Sequence, residues 1–452
     1  MMPREDARSP GYFPGRFSAE AADGARSNIS ATRGLGVLPG DRLALSSRSN
    51  DRWNLSMVWR HDELFLFSTS LPGTPQPFAR VDRIDPVSLE TLKSSAELAN
   101  GGHIWEGGCL VHRNGDIYVV SGCFLHRLNA DLAVVASIEM STARPYDSLL
   151  SMDDGRLITK DVSAVGTTSR LCVVDADDLS TVMELPVPES TLGKCCVDGD
   201  DIYVPGENSI FRFRYRRSKL SRDTGWTGRY RTANNGYGHC SDLTVGGGYL
   251  WAHDNADTFE IRDLLRYEPV GSAVAGVGFH QSFDTPCRLH RISTRDASDH
   301  VMVAPFDLFA GWPSASPTFV AEHLIVLTFD SLNGGLAAFD VADDGSLRER
   351  WQRPIRTRWQ PLVFADTAEV VVDDVHLFDD ANIVVLDLFT GRDKARLRSG
   401  TPLPSDGRAT PGPARDLVYL SSSAIFRMSV VPGPGWAAPA FGSAHPLPPP
   451  DR

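Results

Sequence analysis

WEGGCLVHRNGDIYVVSGCFLHRLNADLAVVASIEM, residues 105–140, is followed almost at once by RPYDSLLSMDDGRLITKDVSAVGTTSRLCVVDADDLSTVMELPV, residues 144–187, and the two share one layout. Each is a short apolar run, a polar hairpin tip, a second apolar run, then a bend and two further strands. A four-strand unit of this kind cannot bury both of its faces alone. Repetition at about 40 residues therefore predicts that copies pack face to face around a ring.

Working outward, the second strand of the unit returns as DELFLFS, GDIYVVS, GRLITKD, DDIYVPG, GYLWAHD, EHLIVLT, AEVVVDD and RDLVYLS, starting at 62, 115, 155, 200, 248, 322, 368 and 415. The steps run from 40 to 53 residues except one of 74. A second recurring signal is an Asp-led tip after an apolar run, at Asp85, Asp175, Asp340 and Asp387; short polar side chains there favour a turn between outer strands. The expected fold is all-β, a single β-propeller of seven or eight four-stranded antiparallel blades. Residues 1–40 read as a disordered tail, 41–432 as the propeller with an insertion at about 271–312, and 433–452 as a Pro-rich tail. The last unit supplies only about three strands, so DRLALSS near Asp41 is expected to complete it and remove an exposed edge.

Composition bounds the function. At 452 residues the chain exceeds the usual size of one core, but each blade brings its own slice. A net charge of −12 opposes binding to a phosphate backbone, so nucleic acid is not an expected partner. The basic run FRFRYRRSKLSR at 211–222 alternates aromatic and arginine residues, which predicts a strand with one apolar and one basic face. No apolar window is long enough for a membrane span, and the first residues lack a secretory core, so the expected location is the cytoplasm, without membrane association. Seven cysteines without a C-x-x-C pair argue against a disulfide framework, although Cys109 and Cys123, on consecutive strands of one unit, are a candidate pair in an oxidising setting. No nucleophile elbow, phosphate loop, H-E-x-x-H or dinucleotide fingerprint is present.

The hairpin ANIVVLDLFTGRDKARL at 381–397 resembles the repeat of pyrroloquinoline-quinone-type propellers. In that family a Trp follows the Thr-Gly at a fixed offset and docks one blade onto the next; Ala395 stands at that place here. The blade openings EGGCLVHRNGDIYVV, RPYDSLLSMDDGRLITKD and HCSDLTVGGGYLWAHD are similar to those of the gluconolactonase, strictosidine-synthase and paraoxonase group, which place acids at the channel mouth around a divalent cation. The matching positions are Glu106, Asp147 and Asp242. Carboxylates gathered on one axis would repel one another without a cation, and hard oxygen ligands suggest calcium or magnesium. His103 and His239 precede two of these acids by three residues and are candidate general bases on an activated water. Arg144 holds the same offset from Asp147 and completes a polar collar, and Trp105 and Trp359 are candidates to wall a pocket. Three readings follow: a cation-dependent hydrolase of lactones or small esters, a non-catalytic propeller binding a protein or small ligand, and a quinoprotein-like oxidoreductase.

Overall fold

The computed structural model describes residues 10–433 apart from 31, 72, 104–106, 164–166, 232–239, 241, 255–285, 307–314, 332, 376–379 and 403–407. Every regular element among them is a β-strand. The strands form eight antiparallel sheets, so the blade count is eight rather than seven. Innermost strands are Trp53–Arg60, Gly108–Val111, Tyr146–Ser151, Cys196–Asp198, Thr244–Gly246, Thr318–Val320, Leu362–Phe364 and Ala409–Pro411 for blades one to eight. Second strands such as Ile117–Ser121, Leu157–Asp161 and Ile325–Asp330 are buried throughout, because both of their faces meet a neighbouring blade. Outermost strands such as Val134–Glu139 are largely exposed.

Ring closure follows the expectation from DRLALSS. Arg42–Ser49 is the fourth strand of blade eight, with Leu43 opposite Val430 and Leu45 opposite Met428. First and last segments of the chain therefore share one sheet, which covers an edge that would otherwise be open.

The Asp-led tips are local devices. Asp85 Oδ1 accepts from the backbone N–H of Val87 and Ser88 at 2.8 and 2.7 Å, Asp175 Oδ1 from Asp177 at 2.8 Å, and Asp387 Oδ1 from Thr390 at 2.8 Å. Leu89 and Leu179 sit near the end of two of these turns, in blades one and three, at φ of 64° and 61°, and Leu132 does the same at 62° in the Asn129-led turn of blade two. Burial of each leucine between blades offsets that backbone cost. In blade seven the residue is Gly391, φ 65°, because a Cβ there would lie 2.6 Å from the Trp351 ring. At the fourth tip Asp340 instead faces Arg350, and Asp344 caps the turn by accepting from Ser346 N–H at 2.9 Å.

Trp351 makes, from blade six, the kind of docking contact that Ala395 cannot make from blade seven. Trp351 lies opposite Ala338 in blade six just as Ala395 lies opposite Val385 in blade seven, each pair two residues before the tip aspartate. Its indole donates to Leu388 O at 2.8 Å and rests on Gly391, joining blade six to blade seven. Trp226 does similar work between blades four and five, donating to Ser293 O at 3.1 Å.

Three further expectations are corrected. The span 271–312 is not one insertion: Arg288–Ser293 and His300–Val303 are the third and fourth strands of blade five, and the remainder lies mostly outside the described residues. Cys109 is opposite Val119, whereas Cys123 lies beyond the following strand with its sulfur against Gly101, and both are free thiols. Residues 10–40 are not a tail. Tyr12, Phe17, Ala19, Leu35 and Val37 are buried, and Ile29–Ser30 pairs in parallel with Leu362–Phe364. In the basic run, Phe211, Phe213 and Tyr215 pack between blades three and four, while Arg212, Arg214 and Arg216 pair with Asp223, Asp201 and Asp200.

Candidate functional site on the propeller axis

The innermost strand of each blade has one edge with no neighbour in its own sheet, and buried backbone groups there need partners. The N-terminal segment supplies them. Its carbonyls Phe17 O, Ser18 O, Gly24 O, Ala25 O and Asn28 O accept from the N–H of Trp59, Val111, Val197, Val245 and Val363 at 2.7–3.1 Å, one residue in each of blades one, two, four, five and seven. In blade three the Tyr12 hydroxyl accepts from Ser151 N–H at 2.8 Å. The segment then leaves along blades seven and eight, where Glu369 accepts from Gly36 and Val37 N–H at 2.8 and 2.7 Å and Arg415 donates to Leu35 O at 2.7 Å.

Following the inner edges forces the segment into unusual backbone. Ala21, Ala22, Arg26 and Asn28 all have φ between 50° and 79°. Asn28 Nδ2 donates to Gln360 O and Pro361 O at 2.8 and 3.1 Å, and Gln360 Nε2 returns a bond to Arg26 O at 2.9 Å. Such distant partners are what hold non-glycine residues in this region.

Charges from the segment meet charges from the blades. Glu20 Oε1 accepts from Arg26 at 3.2 Å, from Lys194 at 2.6 Å and from Arg408. Asp242 accepts from Arg26 Nη2 at 2.7 Å and from Lys194 N–H at 2.8 Å. Burial alone would raise the Asp242 pKa, but the positive charges of Arg26 and Lys194 outweigh it and hold the carboxyl below its usual value. Burial also lowers the Arg408 guanidinium to about 10. Asp147, 1% exposed, pairs with Lys160 at 2.8 Å, itself 0% exposed.

Two of the three acids proposed as cation ligands are therefore each engaged by a protein cation. No cluster of three or more His, Cys, Asp or Glu among the described residues is arranged to hold a metal ion. Glu106, Trp105 and His239 lie outside the described residues. His103 is tied to the rim, its Nε2 bonded to Ala143 O at 2.7 Å. Arg144 donates to Thr168 O at 2.9 Å and pairs with Asp161 at 2.5 Å. His103 and Arg144 each have a loop or blade partner of their own, and His103 is bonded to the carbonyl of the residue beside Arg144.

Trp359 and Asp242 do meet at one site. A cavity of about 50 Å³ on the axis is lined by Glu20, Arg26 and Asn28 of the N-terminal segment, by Ser56 of blade one, and by Asp242, Arg358, Trp359, Gln360 and Arg408. At roughly 10–15 Å³ per water-sized site it has room for about four waters. Ser56 reaches it through a β-bulge: the register shifts between Asn54 and Ser56, which turns the hydroxyl side of the strand. Sequence reading named Trp359 and Asp242 but missed Arg26, Ser56, Glu20 and Arg408. Glu20 and Arg26 lie in a stretch without strand periodicity, and a bulge leaves no mark in the apolar pattern.

No protein-family model matches the chain, and no curated protein aligns with it. Solved structures do. BamB from Moraxella catarrhalis superposes with a TM-score of 0.52 at 13% identity, over 85% of this chain and 98% of that one. The quinohemoprotein alcohol dehydrogenase of Comamonas testosteroni gives 0.57 at 11%, over 94% and 81%, and a europium-containing methanol dehydrogenase 0.54 at 10%, over 93% and 98%. What the chain shares with them is the β-propeller fold, here of eight blades. At these identities the likeness extends to architecture alone.

Proposed function

We propose that the protein is a non-catalytic binding propeller that holds a small polar ligand on its axis. One observation carries this reading. Five blades and the N-terminal segment converge on one cavity whose lining acids, Glu20 and Asp242, are both engaged by arginine or lysine. Among the described lining residues there is no histidine or cysteine to serve as base or nucleophile. Hydrolysis through a shared cation draws no support from Asp147 and Asp242, which serve as counter-ions to Lys160 and Arg26.

The test is equilibrium dialysis of the full chain against a mixture of small polar metabolites, with lactone and ester hydrolysis assayed in parallel, with calcium and with EDTA. Saturable retention without turnover is expected. Metal-dependent turnover that disappears in Asp147→Asn and Asp242→Asn would overturn the reading in favour of a hydrolase.

A further inference from the structure

Three buried polar atoms around the axial cavity have no hydrogen-bond partner: Arg26 Nε, Ser56 Oγ and Trp359 Nε1. Arg26, Ser56 and Trp359 are 3%, 2% and 2% exposed. They come from three separate parts of the fold, the N-terminal segment, the bulge of blade one and the opening of blade seven. Unpartnered buried donors are rare in folded proteins and costly, so three on residues that line one cavity call for a common acceptor.

The chemistry of that acceptor is restricted. A guanidinium N–H and an indole N–H can only donate, and the hydroxyl of Ser56 is free to do so. A metal cation offers these groups nothing. Waters can accept from all three, but an oxyanion accepts more than once at each oxygen and makes the stronger, charge-assisted bond with the guanidinium. Charge points the same way: the described lining carries the guanidinium groups of Arg26, Arg358 and Arg408 against the carboxylates of Glu20 and Asp242, with Lys194 behind Glu20. Two of the three donors lie on or beside elements that the N-terminal segment must bridge, so an occupant also ties that segment to the ring.

We infer that the axial cavity binds a small oxyanion, a carboxylate or a phosphate-class group, through Arg26 Nε, Ser56 Oγ and Trp359 Nε1. This assignment deepens the ligand-binding reading above and rests on it. Bound only by the folded ring, the anion raises thermal stability with its concentration.

The experiment is thermal unfolding and titration calorimetry of the full chain with sodium phosphate, sulfate and acetate, against sodium chloride at matched ionic strength and against glycerol. Saturable binding of at least one oxyanion is expected, and preference for phosphate or acetate distinguishes a tetrahedral from a planar ligand group. Ser56→Ala and Trp359→Phe each weaken that binding about tenfold. Ser56→Ala leaves the ligand-free melting temperature unchanged or higher, because it deletes a donor that has no acceptor; this separates loss of the site from loss of the fold. Oxyanion responses equal to chloride, or undiminished in both variants, would overturn the assignment. Saturable glycerol binding with inert oxyanions would remove the oxyanion and leave the ligand-binding reading standing; no saturable binding by any probe would remove both.

Discussion

The blade tips and the N-terminal segment both place non-glycine residues at positive φ, and they hold them there by opposite means. At a tip, Asp85 or Asp175 reaches only two or three residues along the chain, and the leucine that follows is buried between adjacent blades. In the segment, Arg26 is held by Asp242, 216 positions away, and Asn28 by the carbonyls of Gln360 and Pro361, more than 330 away. The tips are folded by their own sequence; the segment is folded by the ring. The difference shows that the course of the segment is set by the inner edges of the ring and by the charges it meets there.

Removing the segment tests the contrast most severely. Deletion of residues 1–35 takes away the acceptors for five inner-strand N–H groups and the ion pairs of Glu20 and Arg26. At about 1 kcal/mol per hydrogen bond, the loss is on the order of 5 kcal/mol, seen as a large fall in the urea midpoint. A melting curve like that of the full chain would show that the segment is dispensable, as its composition alone suggests.

Asp147→Ala comes next. It strands Lys160, 0% exposed, without its carboxylate, and should cost about 3–5 kcal/mol. Replacing both partners, Asp147→Leu with Lys160→Met, should cost much less, because no buried charge remains. Equal losses in the single and double variants would mean that the pair does more than neutralise itself.

Asp373 sharpens the comparison from the other side. Burial raises its pKa to about 6, against the bonds it accepts from Thr357 and from Arg358 N–H. Between the ordinary carboxylate value and about 6 the folded chain keeps a proton that the unfolded chain has released. Stability therefore falls as pH rises through that window. Asp373→Asn should gain up to about 3 kcal/mol at pH 8 and nothing near pH 4, read from denaturant midpoints at the two pH values. A gain independent of pH would rule out this ionisation as the cause.

The smallest effect belongs to the tips. Asp387→Ala removes the acceptor for Thr390 N–H and should cost about 1 kcal/mol, confined to blade seven in hydrogen exchange. A loss spreading around the ring would make the tips less local than their geometry.

Much of the fold was legible. The apolar runs, the Asp-led tips and the count of second strands gave an all-β propeller of seven or eight blades, and the lone strand at Asp41 was correctly assigned to the last blade. The docking Trp was sought at Ala395 and stood one blade earlier, at Trp351, because each blade carries its own variant of the repeat. Of the candidate site, Trp359 and Asp242 line the cavity, whereas His103 and Arg144 are spent on loop and blade partners.

What the sequence determined by itself is what local pattern encodes: short apolar runs, turn-forming aspartates and the spacing at which they return. Tertiary structure alone decided the course of residues 10–40, the neutralisation of Asp147 by Lys160 and of Asp242 by Arg26, and the bulge that turns Ser56 to the axis. Those features depend on unpaired strand edges and buried charges that exist only once eight blades have closed, and no local pattern of residues carries them.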